Sequence, residues 1–423
     1  MKKILAIALC AIMVIGVLAG CSSQPASNDN ANSTPANNDA PATNDTPATN
    51  NTPAAEGKTV KVGFITLHDE NSTYDKNFID AAKAACANAG VEYIIKSNVP
   101  EGSECFDTAE ELIDEGCNVI FADSFGHEDF MIQAAKAHAD VMFCHATGTK
   151  AHTTGLDNFH NAFAAIYEGR YLAGVAAGLK LNEMIANGEF TADEAKMGYV
   201  GAFPYAEVKS GYTSFFLGAR SVCPTVTMEV TFTNSWYDEA LEKEAANKLI
   251  NRGCKLISQH ADSMGAPTAC ETAGVPDVSY NGSTVAACPN TFIISSRINW
   301  EPYFLHMIDC ARTGTALEAD WTGTIATSSV ELSELNEKAA AAGTAEKLAE
   351  VKAQFEAGTL KVFATDTFTV GGASLTEYLA DVDDMGDFQP ETNVISDGYF
   401  HESEYRSAPY FDIDIDGITN IDA

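Results

Sequence analysis

Positive charge is scarce in this 423-residue chain: 25 Lys and Arg stand against 59 Asp and Glu, a formal net charge of −34 at pH 7. That balance excludes nucleic acid and polyanionic ligands as partners, because phosphate binding needs the opposite sign. The acid excess is thickest at the end, where residues 366–423 hold fourteen acids and one base, Arg406. No CxxC pair and no Gly-x-Ser-x-Gly elbow occurs, and no pairing of Cys with His suggests a nucleophile, so a zinc site and a serine or thiol nucleophile lack their usual frames. Large aliphatic and aromatic residues are missing altogether from Ser22 to Gly57, a stretch almost entirely of Asn, Thr, Ala, Pro, Ser and Asp with the near-repeat Asn-Asp-Thr-Pro-Ala-Thr-Asn. Such a segment cannot bury enough apolar surface to offset the entropy of ordering it, and it reads as a disordered tether over residues 21–57.

Long apolar runs are also few, and the one that stands out opens the chain. Lys2 and Lys3 precede an apolar or small stretch from Ile4 to Gly20, the n-region and h-region of a signal peptide over residues 1–20. Cys21 follows directly after Leu18-Ala19-Gly20, the pattern of a bacterial lipoprotein whose thiol takes a lipid. Seventeen such residues barely span a bilayer, so the expected attachment is a lipid anchor on the extracytoplasmic face of the cell membrane. Of eleven cysteines, Cys10 leaves with the signal peptide and Cys21 is modified. The other nine, Cys86, Cys105, Cys117, Cys144, Cys223, Cys254, Cys270, Cys288 and Cys310, are irregularly spaced, and several sit in apolar patterns such as Ala84-Ala85-Cys86-Ala87. They read mostly as small buried hydrophobes with free thiols, suited to a low-oxygen habitat, with one or two bridges left open.

From Lys58 about 365 residues remain, enough for two lobes. Short apolar strands alternate with helical patterns: Val60–Thr66, Phe78–Ala89, Tyr93–Lys96, Thr108–Asp114, Asn118–Ala122, Met131–His138 and Val141–Ala146. After a helix near Ala164–Leu181, whose glycines from Gly169 to Gly178 suit close helix packing, the rhythm restarts. It runs Met197–Ala202, Glu207–Arg220, Thr227–Thr233, Ala240–Arg252, Leu256–Gln259 and Pro267–Ala273. A strand at Phe292–Ser296, a helix at Pro302–Ala311 and an exposed amphipathic helix at Ser333–Ala357 follow. Repeated βα units predict an α/β fold of two Rossmann-like parallel-sheet lobes with a cleft between them. Lobe one is expected over 58–161 with return segments near 297–320, lobe two over 162–296, and a hinge return with an acidic C-terminal segment over 321–423.

Ligands of open parallel sheets bind where strand C-termini and helix N-termini converge, and the informative residues lie there. Ser124-Phe125-Gly126, His145-Ala146-Thr147-Gly148, Tyr167-Glu168-Gly169-Arg170-Tyr171-Leu172-Ala173-Gly174, Gly198-Tyr199-Val200-Gly201-Ala202, Asn234-Ser235-Trp236-Tyr237-Asp238 and Gln259-His260-Ala261-Asp262-Ser263 resemble, in order, the basic membrane protein family of ABC-transporter substrate-binding lipoproteins. The resemblance spans roughly Lys58 to the end. It implies the type I periplasmic-binding-protein fold, a purine nucleoside or nucleobase as ligand, and an ABC permease as partner. The family's Asp-Lys-Ser-Phe-Asn run reads here Asp75-Lys76-Asn77-Phe78-Ile79, and a ribose-binding Asp of many members falls near Tyr280-Asn281-Gly282, where this chain has Asn281. A free base, or a nucleoside held differently, therefore stays open.

A planar base is held by stacking on aromatic faces and read along its edges by carboxylates and amides. Tyr74, Phe78, Phe125 and Trp236 are the stacking candidates, although Phe125 also suits plain packing. Asp75, Asp238 and Asp262 are the edge readers, with Asp238 equally placed to cap a helix; Ser124, Gln259 and Asn281 complete the set. His260 and Asp262 lie two apart at a strand end, yet no third metal ligand follows at a usable spacing. His68, His127, His138, His152, His160, His306 and His401 stand isolated, as surface or core residues. The expected protein binds without catalysing, with no cofactor, metal or catalytic residue. It captures a purine for uptake; a surface sensor without a transporter and an exported nucleoside hydrolase are the alternatives.

Overall fold

Each βα unit forms for local reasons that the computed structural model makes explicit over residues 57–382 and 390–422. The signal segment, Cys21 and the tether lie outside the described residues. In the first lobe the order is β1 (Lys61–Ile65), α1 (Thr73–Ala89), β2 (Glu92–Lys96), α2 (Ser103–Asp114), β3 (Val119–Ala122), α3 (Glu128–Ala137), β4 (Met142–Ala146) and β5 (Phe159–Ala164). Ser72 starts α1 by accepting a hydrogen bond from the Asp75 amide, and Gly90 ends it at φ +66°, where a side chain would be strained. The second lobe runs α4 (Ile166–Ala186), β6 (Lys196–Gly201), α5 (Ala206–Val222), β7 (Thr227–Phe232), α6 (Glu239–Asn251), β8 (Leu256–His260), α7 (Gly265–Ala273), β9 (Asp277–Tyr280) and β10 (Phe292–Ile298). The chain then returns through α8 (Glu301–Thr313) and β11 (Asp320–Gly323), and crosses again to β12 (Val330–Leu332) and α9 (Thr344–Glu356).

The strands make two sheets, one ordered β11-β5-β4-β3-β1-β2, the other β12-β10-β9-β8-β6-β7 with Ile418–Asn420 beyond β7. Every pairing in the first is parallel, with Val62 of β1 opposite Tyr93 of β2 and Val119 of β3. In the second only β12 runs antiparallel, against β10. Three crossings, after β5, β10 and β11, join the lobes. This is the two-lobed arrangement of the type I periplasmic-binding-protein fold, with strand C-termini of both sheets aimed at one cleft.

Helices α4 and α5 cross at backbone contact. A Cβ at Gly174 would come within 2.0 Å of the Phe215 carbonyl oxygen, and one at Gly218 within 2.0 Å of the Tyr171 oxygen. The glycine spacing of α4 is thus a packing device. The nine body cysteines are all buried and free; burial pushes the Cys86 thiol up to about 11 and those of Cys144 and Cys254 up to about 12, so they stay protonated and unreactive.

Some boundaries move. Strand β5 straddles residues 161 and 162, so the first lobe runs through Ala164; His160 and Asn161 interrupt its apolar run and hide it. β11 extends the first lobe's return to Gly323, while 297–298 complete β10 of the second. The helix expected over 333–357 begins only at Thr344, because Ser333 and Asn336 bond along β10 through Ser295 and Ile293, and Gly343 turns at φ +80°. Its apolar side is not exposed: Phe355 packs edge-on against Tyr171 of α4 at 5.9 Å. Among the described residues no helix is long and apolar enough to cross a membrane.

Candidate functional site

Where the two sets of strand ends meet, a narrow cavity of about 20 Å3 is lined by Leu67, His68, Tyr74, Asp75, Ser124, Phe125 and Thr147 of the first lobe and Glu207, Trp236, His260, Asp262 and Tyr280 of the second. The lobes touch around it. The Asp262 carbonyl accepts from the Thr73 amide at 3.1 Å and hydroxyl at 3.2 Å, and the Phe125 and Tyr205 rings meet across the cleft at 5.8 Å.

Six of the ten residues expected from sequence line this cavity. Tyr74, in the first turn of α1, is fixed by its hydroxyl donating to the Asp123 carbonyl at 2.7 Å. Asp75 accepts from the His68 amide at 2.7 Å and the Ser72 hydroxyl at 2.6 Å, with His68 Nδ1 at 3.3 Å. Burial works to raise its pKa, but the bonds from the His68 side chain, Ser72 and the His68 amide outweigh it and hold Asp75 below the usual carboxylate value. Ser124 donates to Glu101 at 2.5 Å, and Phe125 leaves 43% of its surface exposed at the mouth. Trp236 stands edge-on to Phe203 at 5.1 Å. Asp262 is buried and accepts from the Asn281 amide at 3.3 Å. Its carboxyl is raised well above the ordinary value, first by burial and then by the nearby charges of Asp75, Glu242 and Glu207.

The other four sit elsewhere. Phe78 belongs to the core behind β1 and β3, stacked on Trp300 at 4.4 Å, because its position on α1 points it into the lobe. Asp238 caps α6, accepting from the Leu241 amide at 2.9 Å. Gln259 turns its amide onto the Ala261 and Ser263 carbonyls at 2.6 and 3.2 Å and shapes the loop carrying Asp262. Asn281, at φ +63°, supports from behind: its side chain holds Asp262 and its carbonyl accepts from Asn77 of α1 at 3.0 Å.

Sequence reasoning missed Leu67, Thr147, Glu207 and Tyr280 as lining residues and set His68 and His260 aside. His260 ties to Glu207 at 3.3 Å and to the Tyr199 hydroxyl at 3.5 Å, with its ring 4.2 Å from that of Tyr280. Burial lowers its pKa, against the Glu207 carboxylate that raises it. Glu207 and His260 are far apart in sequence, and a helix-start glutamate looks like an ordinary N-terminal acid. Thr147 did carry a signal once folded: φ +64° is costly for a β-branched residue and such strain collects at functional sites.

Beneath the second-lobe wall, fully buried Arg170 of α4 donates to the Ser258 hydroxyl at 2.7 Å, the Tyr199 hydroxyl at 3.1 Å and the Ser279 carbonyl at 3.2 Å. Its guanidinium lies 5.2 Å from the Tyr280 ring centre, within cation–π range. One side chain thereby ties together β6, β8 and β9. Chemically, the site offers aromatic side chains from both lobes, a carboxylate acceptor at Asp75, and at Asp262 a carboxyl that burial pushes toward its protonated form, in which it can donate as well as accept. That combination suits a neutral planar ring with N–H groups and acceptors on its edge.

Residues 64–358 match the family model Bmp, described as ABC transporter substrate-binding protein PnrA-like. A purine-binding protein of Brucella abortus is 32% identical over 60% of this chain and 70% of its own length. A Haloferax volcanii protein provisionally named as an ABC transporter glucose-binding protein is 34% identical over 51% of each chain. The ABC transporter nucleoside-binding protein BmpA of Lactococcus lactis is 23% identical over 62% of this chain and 66% of its own. Among solved structures, an ABC transporter solute-binding protein of Aeropyrum pernix K1 superposes with a TM-score of 0.61 at 14% identity, covering 72% of this chain and 93% of that one; this similarity speaks to the fold.

Proposed function

The chain belongs to the Bmp family of PnrA-like ABC transporter substrate-binding proteins, and on that premise we propose that it captures a purine nucleoside or nucleobase and hands it to a membrane permease. The observation that carries this reading is the lining of the cavity, which gathers Tyr74 and Phe125 of one lobe and Trp236 and Tyr280 of the other with Asp75 and Asp262, the groups that would contact the edge of a ring. Closing two lobes on a stacked ring excludes water from it, and the closed form is what a permease would read. Binding rather than hydrolysis fits the engaged state of Asp75, which His68 and Ser72 hold in place as a hydrogen-bond acceptor.

Mass spectrometry of small molecules that copurify with the protein tests the reading: a purine is expected, and a hexose in its place would favour the ligand named for the Haloferax relative. Incubation with inosine should release no hypoxanthine. We further propose lipid attachment at Cys21. Cys21→Ser is expected to move the protein from the membrane pellet to the soluble fraction on fractionation; retention in the pellet after a high-salt wash would count against the anchor.

A further inference from the structure

The second-lobe wall of the cavity holds a chain of polar side chains whose direction follows from donor chemistry. A guanidinium only donates, and Arg170 Nη2 gives a hydrogen bond to the Tyr199 hydroxyl oxygen at 3.1 Å. That hydroxyl lies 3.5 Å from His260 Nδ1, and His260 Nε2 lies 3.3 Å from Glu207 Oε1. Arg170, Tyr199 and His260 are all buried. If Nδ1 carried the ring proton, Tyr199 would accept from both neighbours, and its own proton would be buried without an acceptor among the described residues, a costly state. Burial lowers the His260 pKa below the ordinary histidine value, so the ring is neutral at pH 7 and has a single proton to place. One arrangement satisfies every group: Arg170 donates to Tyr199, Tyr199 to His260 Nδ1, and His260 Nε2–H to Glu207.

Glu207 thereby receives a hydrogen bond from inside the wall through one oxygen. Its other oxygen takes none among the described residues. Asp75 and Asp262 line the same cavity, and no Lys or Arg does, so the lining favours a ligand rich in donors. The Tyr280 hydroxyl, buried in this wall, has no hydrogen-bond partner among the described residues, and a buried hydroxyl in that state points to a partner brought by a ligand. An aminopurine carries both complements on one edge, an exocyclic amino group to donate and a neighbouring ring nitrogen to accept. An oxopurine instead sets a carbonyl oxygen at the exocyclic position, which a carboxylate repels.

We propose that Glu207, aimed by the one-way relay from Arg170 through Tyr199 and His260, is a specificity-determining acceptor that selects an aminopurine over a purine lacking the amino group. The inference deepens the purine reading and rests on it. His260 acts through Glu207 and is a positioning residue. The relay also dictates what a substitution does. In Glu207→Gln the amide oxygen must accept from His260 Nε2–H, which turns the amide NH2 toward the ligand and replaces an acceptor by a donor.

Calorimetry on the full chain with adenosine, purine riboside and inosine, and with the matching 9-methyl bases in case ribose is not held, tests the acceptor. Wild type should bind the amino compound about tenfold tighter than the one lacking the amino group. Glu207→Gln should erase that gap and bind inosine tighter than adenosine; a variant that keeps the wild-type order would overturn the acceptor role. Nitrogen-15 NMR of the unliganded wild type reads the relay without any ligand, the His260 signals being those lost in His260→Gln. A protonated Nε2 is expected, and a protonated Nδ1 would overturn the relay. Equal wild-type affinity for adenosine and purine riboside would overturn the selectivity and leave the purine reading standing. A wild-type chain that binds none of these compounds would sink the purine reading and the aminopurine preference together, and the tautomer would still decide whether the relay aims Glu207.

Discussion

Arg170→Ala is expected to cost about 3–5 kcal/mol of folding stability, at the upper end of single-residue effects, because several mechanisms act together. Five acceptors lose a charged donor: the hydroxyls of Ser258, Tyr199 and Ser296 and the carbonyls of Ser279 and Gln259, at 2.7 to 3.4 Å. All are buried, so no water replaces the donor without rearrangement. A cavity is left among the Tyr199, Phe215 and Tyr280 rings, whose centres lie 5.0 to 5.4 Å from the guanidinium carbon. Asp277 also loses a nearby positive charge. Burial pushes that carboxyl up to about 7 while Arg170 pulls it down, so the variant should hold Asp277 protonated to higher pH. Arg170→Lys should recover little, since one ammonium cannot span acceptors placed for a planar fork. Urea unfolding followed by circular dichroism measures the loss, and an unchanged midpoint for Arg170→Ala would show that β6, β8 and β9 do not depend on this tie.

Arg170 was visible in the sequence only as part of a family-like stretch, and the reason generalises to the rest of the site. Periodicity exposes what repeats locally. The βα rhythm gave both lobes, and the rule that ligands gather at strand ends led to Tyr74, Asp75, Ser124, Phe125, Trp236 and Asp262, which the cavity brings together. Phe78 and Asp238 failed for one shared reason: on a helix start, facing the cleft and facing the core or the helix's own amides differ by a rotation that spacing does not encode. The Glu207–His260 pair and the Asn281–Asp262 bond join distant parts of the chain, and no pattern marks such pairs before folding. The segment beyond α9 was least legible. Its strands are two or three residues long, it has no helical period, and its acids, read in sequence as a solubility feature, turn out to include specific partners for Lys209, Tyr212 and Lys248.

Trp236→Ala is expected to lower purine affinity by about 1–3 kcal/mol through one lost stack, a factor of about five to over a hundred in dissociation constant. The ring is half-buried and lines the cavity at the cleft, so the unliganded melting temperature should move far less than the affinity. Its backbone remains tied, since the Trp236 carbonyl accepts from the Asp262 amide at 3.0 Å whatever the side chain. Asp262 supplies the contrast. Burial and the charges of Asp75, Glu242 and Glu207 push its carboxyl toward the protonated form, which presents one donor and one acceptor to a ligand edge, and an amide presents the same pair. Asp262→Asn should therefore bind within about fivefold of wild type, whereas Asp262→Ala, which leaves the ligand edge and Asn281 without a partner, should lose roughly as much as Trp236→Ala. Calorimetry with adenine, guanosine and inosine compares the three. A large loss in Asp262→Asn would mean that Asp262 binds as a charged carboxylate, and unchanged affinity in Trp236→Ala with a large fall in unliganded stability would place that ring in the packing of the second lobe.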